Sequence, residues 1–149
     1  WRRVTIRVEE KAAYLIYNNL KAQYFLDSTG AITKEMSADD ISKYSQKFPT
    51  AYVMQDVVVG DKPVSARFVN FILELNKALD TAGVKVKNYE SGGVDQVNVV
   101  SPDGWRAYFS LNISMSQSIE NLTAILSQKL KGKKFEYIDL RNGDKVYYK

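Results

Sequence analysis

The acidic side chains come nearest to a catalytic pattern in this sequence. Glu9–Glu10 and Asp39–Asp40 are sequence neighbours, and Asp139 stands between apolar residues. Two carboxylates could hydrolyse a glycosidic bond if they converged to about 5–10 Å. However, neighbours on a strand point to opposite faces, and Asp39–Asp40 suits the positive end of a helix. Asp139 is either a surface carboxylate or a structural partner of Arg141. We therefore predict that the chain has no catalytic site.

The chain contains no histidine and no cysteine. This composition excludes Ser-His-Asp and Cys-His nucleophiles and removes the usual ligands of zinc, haem and iron–sulfur clusters. Gly92–Gly93 lacks the surrounding residues of a phosphate-binding loop, and no calcium-loop pattern is present. The sequence therefore predicts neither a metal site nor a cofactor.

The net charge is +4, from 21 lysines and arginines against 17 acidic residues. A mild basic excess favours anionic lipid, wall polymer or an acidic partner. The densest basic runs are Arg2–Arg3 and the lysines at 129, 131, 133 and 134. We interpret them as solvated faces and a helix C-terminus. The ten tyrosines and two tryptophans suit strand packing better than base stacking, so we predict no nucleic-acid partner.

The length and composition are those of a folded domain. The chain has 149 residues, of which 45% are hydrophobic, and this is too apolar for a disordered segment. No apolar run approaches the ~18 residues that a membrane span needs. Because the sequence opens with Trp1 and continues at once into a strand pattern, we expect it to be a piece of a longer protein.

Three helices are predicted from caps and apolar spacing. Ser37 can cap a short helix that ends before Pro49. A longer helix begins near Pro63, carries an apolar stripe from Phe68 to Ala82 and stops at Gly83. The last helix spans about 117–131, with Ser116 or Ser118 as its cap and Gly132 at its end.

Short strands outnumber these helices. Val4, Ile6 and Val8 alternate with polar residues, which is typical of a half-buried strand. Further strands are predicted at 24–26, 31–34, 52–59, 84–89, 94–100, 105–111, 135–140 and 146–148, with a loop at 91–93. Hairpin connections dominate. The predicted fold class is α+β, a largely antiparallel sheet with about three helices packed on one face.

The final hairpin offers a possible binding edge. Asn142–Gly143 is a strong signal for a type I′ turn, and Val146, Tyr147 and Tyr148 form the returning strand. An edge strand with exposed aromatic residues is a template for strand addition by a partner. The alternative is that a further C-terminal segment covers this edge.

The same C-terminal stretch carries a family resemblance. Residues 136–149 (EYIDLRNGDKVYYK) resemble the end of the extracytoplasmic part of the FtsQ/DivIB cell-division proteins. Residues 4–11 (VTIRVEEK) are similar to the last strand of that family's POTRA domain, and residues 24–30 (YFLDSTG) to a hairpin of its β domain. Asp103–Gly104–Trp105 resembles a mid-domain turn. Asn142 departs from the family, whose members often carry an aromatic residue there.

The resemblance implies two segments, the end of a POTRA domain at 1–16 and a β domain at 17–149. It implies a non-enzymatic scaffold of septum formation, held in the cell membrane by a single span that this chain does not contain, with the β domain on the extracytoplasmic side. The implied partners are FtsB/DivIC-like and FtsL-like division proteins, which add a strand beside the last strand. The implied binding residues are Arg141, Asn142, Asp144, Lys145, Val146, Tyr147 and Tyr148, with Arg141 pairing to a partner carboxylate.

Two other functions stay open on the residues alone. One is a POTRA-type binding or transport module of another cell-envelope system, of whose strand order only the first strand gives a hint. The other is a carbohydrate enzyme, which would require the converging carboxylates discussed above.

Overall fold

A computed structural model describes residues 14–149. The predicted strand at 4–8, the Glu9–Glu10 pair and Arg2–Arg3 lie outside the described residues. The predicted boundary between residues 16 and 17 falls inside the first described strand, Leu15–Asn18.

The described chain forms a sheet and three helices in the order βββαβαβββαββ. The strands are β1 (Leu15–Asn18), β2 (Gln23–Leu26), β3 (Ile32–Glu35), β4 (Thr50–Tyr52), β5 (Asn88–Gly93), β6 (Gln96–Val100), β7 (Arg106–Ser110), β8 (Tyr137–Asn142) and β9 (Lys145–Tyr148). The helices are α1 (Ala38–Tyr44), α2 (Ala66–Thr81) and α3 (Met115–Ala124), and a π-helical turn at Ile125–Lys129 extends α3. The predicted α+β class is confirmed.

All nine strands belong to one mixed sheet, in the order β3-β2-β1-β4-β5-β6-β7-β8-β9. The pairs β1–β4, β4–β5 and β7–β8 are parallel, and the other five pairs are antiparallel. The prediction of a largely antiparallel sheet is therefore wrong. Parallel neighbours need a long crossover connection, and α2 and α3 provide two of these crossovers. Both helices were predicted, but the parallel pairing of the strands that they connect was not.

The helices lie on both faces of the sheet. The main core packs α2 and α3 against alternate strand residues, such as Leu15, Tyr17 and Phe109. A smaller cluster joins Ile16, Phe25 and Met36 to Ile41, Tyr44 and Phe48, on and after α1. Because Ile16 points away from its neighbours Leu15 and Tyr17, α1 covers the opposite face. The prediction that all helices pack on one face is wrong for this reason.

The start of α1 and the end of α2 agree with the sequence signals, whereas the starts of α2 and α3 do not. Ser37 accepts a hydrogen bond from the Asp40 amide in a capping box, and Gly83, with φ +72°, lies two residues beyond α2. α2 begins later than predicted, after the cap Ser65. α3 begins earlier, at Met115, and its N-cap Ser114 makes no side-chain capping bond.

Two predicted segments differ from the structure. The strand expected at 52–59 ends at Tyr52, and residues 53–61 instead form a loop, in which the Gln55 carbonyl accepts a hydrogen bond from the buried Tyr17 hydroxyl at 2.7 Å. Burial raises the pKa of Tyr17 to about 12. The loop expected at 91–93 belongs to β5, which pairs with β6 through a register shift near Gly93.

Candidate partner-binding site

The β8–β9 hairpin contains all seven residues of the predicted partner-binding site. Asn142 pairs with Lys145, so the connecting turn is Gly143–Asp144. Gly143 has φ +64°, and among the described residues Leu20 alone is a non-glycine with positive φ. A type I′ turn centred on Asn142–Gly143 needs positive φ at both residues. That prediction is wrong, since Asn142 closes the strand and a single left-handed glycine makes the turn.

A β-bulge lies inside this hairpin. Asp139 pairs with Tyr147 and Asn142 pairs with Lys145, so Leu140 and Arg141 together face Val146. The amide of Arg141 donates to the Asp139 carboxylate at 3.0 Å. The carboxylate therefore supplies an acceptor for an amide inside the bulge.

The outer edge of β9 exposes alternate backbone groups. Tyr137 and Lys149 exchange both backbone hydrogen bonds, at 3.3 and 3.2 Å. In an antiparallel ladder such pairs alternate, so the Tyr147 backbone also points toward β8. The amides and carbonyls of Val146 and Tyr148 then point outward. No strand within residues 14–149 pairs with that side of β9.

Aromatic side chains flank this edge on both faces. Tyr148 lies opposite Ile138, a core residue, and is 46% exposed. Tyr147 lies opposite Asp139, on the face that carries no helix here, and is 53% exposed. Val146 is half-buried and packs against the main core, whereas Lys145 is exposed. A strand added beside β9 would thus have one tyrosine of β9 next to it on each face of the sheet.

Arg141 is held by its own chain. Its guanidinium binds both carboxylate oxygens of Asp139, at 2.8 and 2.6 Å, and donates to Gln96 at 2.9 Å. It also lies 5.1 Å from the centre of the Tyr108 ring. These hydrogen bonds keep the pKa of Asp139 below its ordinary value, despite partial burial. Of the two interpretations of Asp139, the structural partner of Arg141 is the one the structure supports.

Helix α3 fastens the turn of the hairpin. The amide of Gln117 donates to Asp144 at 2.7 Å, and that of Asn121 donates to the Gly143 carbonyl at 3.2 Å. Asn142 is exposed beside them. Sequence reasoning missed both α3 residues, because their neighbours on that helix face, such as Ser114 and Gln128, are polar as well and do not single them out.

A tyrosine pair beside the hairpin was also missed. Tyr108 and Tyr137 stack with ring centres 5.5 Å apart and an interplanar angle of 27°. They lie on neighbouring strands, on the same face as Asp139 and Arg141. The aromatic surface on this side of the sheet is therefore wider than β9 itself.

Acidic residues do not gather into a metal site in the described part of the chain, where no group of three or more could hold an ion. On the face opposite α2 and α3, Glu90 is paired with Arg106 at 3.4 Å and Asp139 with Arg141. Each of these carboxylates thus has its own cation. Within residues 14–149, no helix has the length and hydrophobicity that crossing a membrane requires.

No family model matches the sequence, and no curated protein is significantly similar to it.

Proposed function

We propose that this protein is a non-enzymatic scaffold of the bacterial division machinery. In this proposal it binds FtsB/DivIC-like and FtsL-like membrane proteins on the extracytoplasmic side of the membrane at the septum. The partner adds a strand to β9, an instance of β-augmentation. The β-domain family and its partners come from the sequence resemblance, and the binding mode is argued from the edge.

The observation that carries the proposal is the unpaired outer side of β9. Val146 and Tyr148 present amides and carbonyls in the spacing that a new strand needs. The unpaired backbone groups of an edge strand are normally protected by charged side chains, by proline or by a covering segment. Within the described residues the only such protection is the charge of Lys145, the first residue of β9, and of Lys149, which follows it. The strand itself carries two exposed tyrosines.

Side chains next to the edge would add selectivity. Tyr147 and Tyr148 offer apolar contact on opposite faces of an added strand. Arg141 is one-third exposed and already neutralised by Asp139, so a partner carboxylate would share this cation and not meet a free one. Backbone pairing and tyrosine contacts therefore supply most of the affinity in this proposal.

The test is a pair of substitutions at Tyr148, whose amide points outward. Tyr148→Pro removes that amide and leaves the ladder to β8 in place, whereas Tyr148→Val keeps it and also removes the ring. The probe is a synthetic peptide from the FtsB/DivIC-like protein of the same genome, titrated by calorimetry and followed by backbone NMR shifts. We expect shifts concentrated at 141–149 and about tenfold or greater weakening by proline, with a smaller loss for valine.

Two results would count against the proposal. Shifts centred away from β9 would show that the edge is not the site. Equal affinity of the proline and valine variants would show that the backbone amide is not used, and so would exclude strand addition.

A further inference from the structure

A lysine-rich segment runs from the end of the π-helical turn into the connection to β8. It contains Lys129, the last residue of that turn, together with Lys131, Lys133 and Lys134, and we refer to it as the basic loop. All four lysines are exposed, and no acidic residue within residues 14–149 forms a salt bridge with any of them. Four positive charges within six residues therefore face solvent without neutralisation.

The backbone of the basic loop is well anchored. Leu130 is buried in the main core, and its amide donates to the Ile125 carbonyl at 3.0 Å. Gly132, with φ +72°, turns the chain so that the Lys133 amide donates a hydrogen bond to the Leu130 carbonyl at 2.9 Å. The lysines thus extend from a turn whose backbone is already ordered. Binding therefore does not have to order that backbone, which lowers its entropic cost.

An aromatic pair lies directly beside these charges. Phe135 follows Lys134 in sequence, and its ring centre lies 5.3 Å from that of Trp105. Both rings are half-buried and pack against the main core. Tryptophan is favoured where one side of a residue is apolar and the other meets polar headgroups.

We propose that the basic loop, together with Trp105 and Phe135, binds the surface of an anionic lipid bilayer. Clustered lysines are attracted to anionic headgroups as point charges, with a gain of about fivefold in affinity for each. Recognition of nucleic-acid phosphates favours the planar fork of arginine, and the basic loop contains no arginine. The aromatic pair would lie at headgroup level. The sequence-based interpretation of these lysines as a solvated face would then apply to the protein when it is not bound to a membrane.

The first test measures co-flotation of the chain with vesicles. Vesicles of phosphatidylcholine alone are compared with an equal mixture of phosphatidylcholine and phosphatidylglycerol. We expect binding to the anionic vesicles only, decreasing as salt is added. Replacing Lys131, Lys133 and Lys134 by glutamine should weaken binding about a hundredfold.

The matched control has the same change in net charge at a different place. Lys43, Lys47 and Lys62 are exposed lysines in the half of the chain that holds β1, β2 and α1, and none of them forms a salt bridge with a described acidic residue. Their triple glutamine variant should lose much less affinity. Equal losses in the two triple variants would overturn the proposal, because net charge and not the loop would then control binding. Binding to both vesicle types alike, to neither, or more tightly to a DNA duplex at the same salt would also overturn it.

Tryptophan fluorescence gives an independent reading of the same surface. The chain has two tryptophans, so Trp1→Phe leaves Trp105 as the only tryptophan, which is excited selectively over the tyrosines at the red edge of the absorption band. A blue shift of its emission on adding anionic vesicles, together with quenching by lipids brominated on their acyl chains, is expected. Bound protein whose Trp105 emission stays unchanged would overturn the part assigned to the aromatic pair.

Discussion

The sheet ends at β3 on one side and at β9 on the other, and these two edges meet different surroundings. At β3, the Ile32 amide donates to the Asp61 carbonyl at 2.8 Å, and the Ile32 carbonyl accepts from Gly60 at 2.9 Å. At β9, the corresponding groups of Val146 and Tyr148 meet no strand or loop of the described chain. An uncovered edge is a template for pairing with another chain, whereas a covered edge is not. The contrast is thus the physical basis for proposing β9 as the partner-binding edge.

The largest expected effect compares two turn glycines, one near each edge. Gly30 has φ +83°, and a Cβ there would overlap the Val64 carbonyl oxygen. Gly30→Ala therefore combines a strained backbone with a clash against backbone, and we expect a loss of about 3–5 kcal/mol in the free energy of unfolding. Chemical denaturation measures it.

Gly143→Ala is the matched variant at the β9 turn. Gly143 has φ +64°, but nothing lies within 4 Å of an added Cβ. The expected loss is only the conformational cost of about 1–2 kcal/mol. Equal losses for the two alanines would mean that the β2–β3 turn is no more tightly packed than the β9 turn, and the contrast between the edges would weaken.

The second expected effect concerns the contact between Asp139 and Arg141 on β8, beside β9. Asp139→Asn removes the charge that holds Arg141 and supports the bulge, and we expect about 1–2 kcal/mol of destabilisation at neutral pH. Asp139 has a lowered pKa in the folded chain, so its contribution is present above the unfolded value of about 3.9 and is lost as pH falls toward the folded value. Denaturation of both proteins across that range should show their stabilities converging in acid. A constant difference down to the acid limit would contradict this role.

Part of this fold and of the β9 edge could be predicted from the sequence alone. Local signals worked where the physics is local, because Ser37 caps its own helix and Gly83 follows the end of α2. The β8–β9 hairpin was located correctly, yet its turn was displaced by one residue. The structure has a bulge at Leu140–Arg141, beside the contact of Asp139 with Arg141, and no turn propensity encodes either feature. Pairings such as β1–β4 join distant segments, and strand patterns carry no information about which neighbour a parallel strand will choose.

A smaller effect tests the loop that covers β3. The Asp61 carboxylate accepts a hydrogen bond from the Val58 amide at 2.9 Å and so closes the turn at 58–61. Asp61→Ala should cost about 1 kcal/mol and should accelerate hydrogen exchange at Ile32. Asp56→Ala on the same loop removes an exposed ion pair with Lys21, and it should leave Ile32 unchanged. Faster exchange in both variants would point to general loosening of the loop.

The smallest expected effect needs no substitution and measures the contrast directly by amide hydrogen exchange. The amides of Val146 and Tyr148 should exchange at rates close to those of an open chain, whereas the Tyr147 amide between them is protected by β8. At the opposite edge, Ile32 should be protected because its amide is bonded to Asp61. An alternating pattern along β9 with protection at Ile32 is the signature of one open edge and one covered edge. Uniform protection along β9 would mean that a segment of the same chain already covers it, and strand addition would then require that segment to be displaced first.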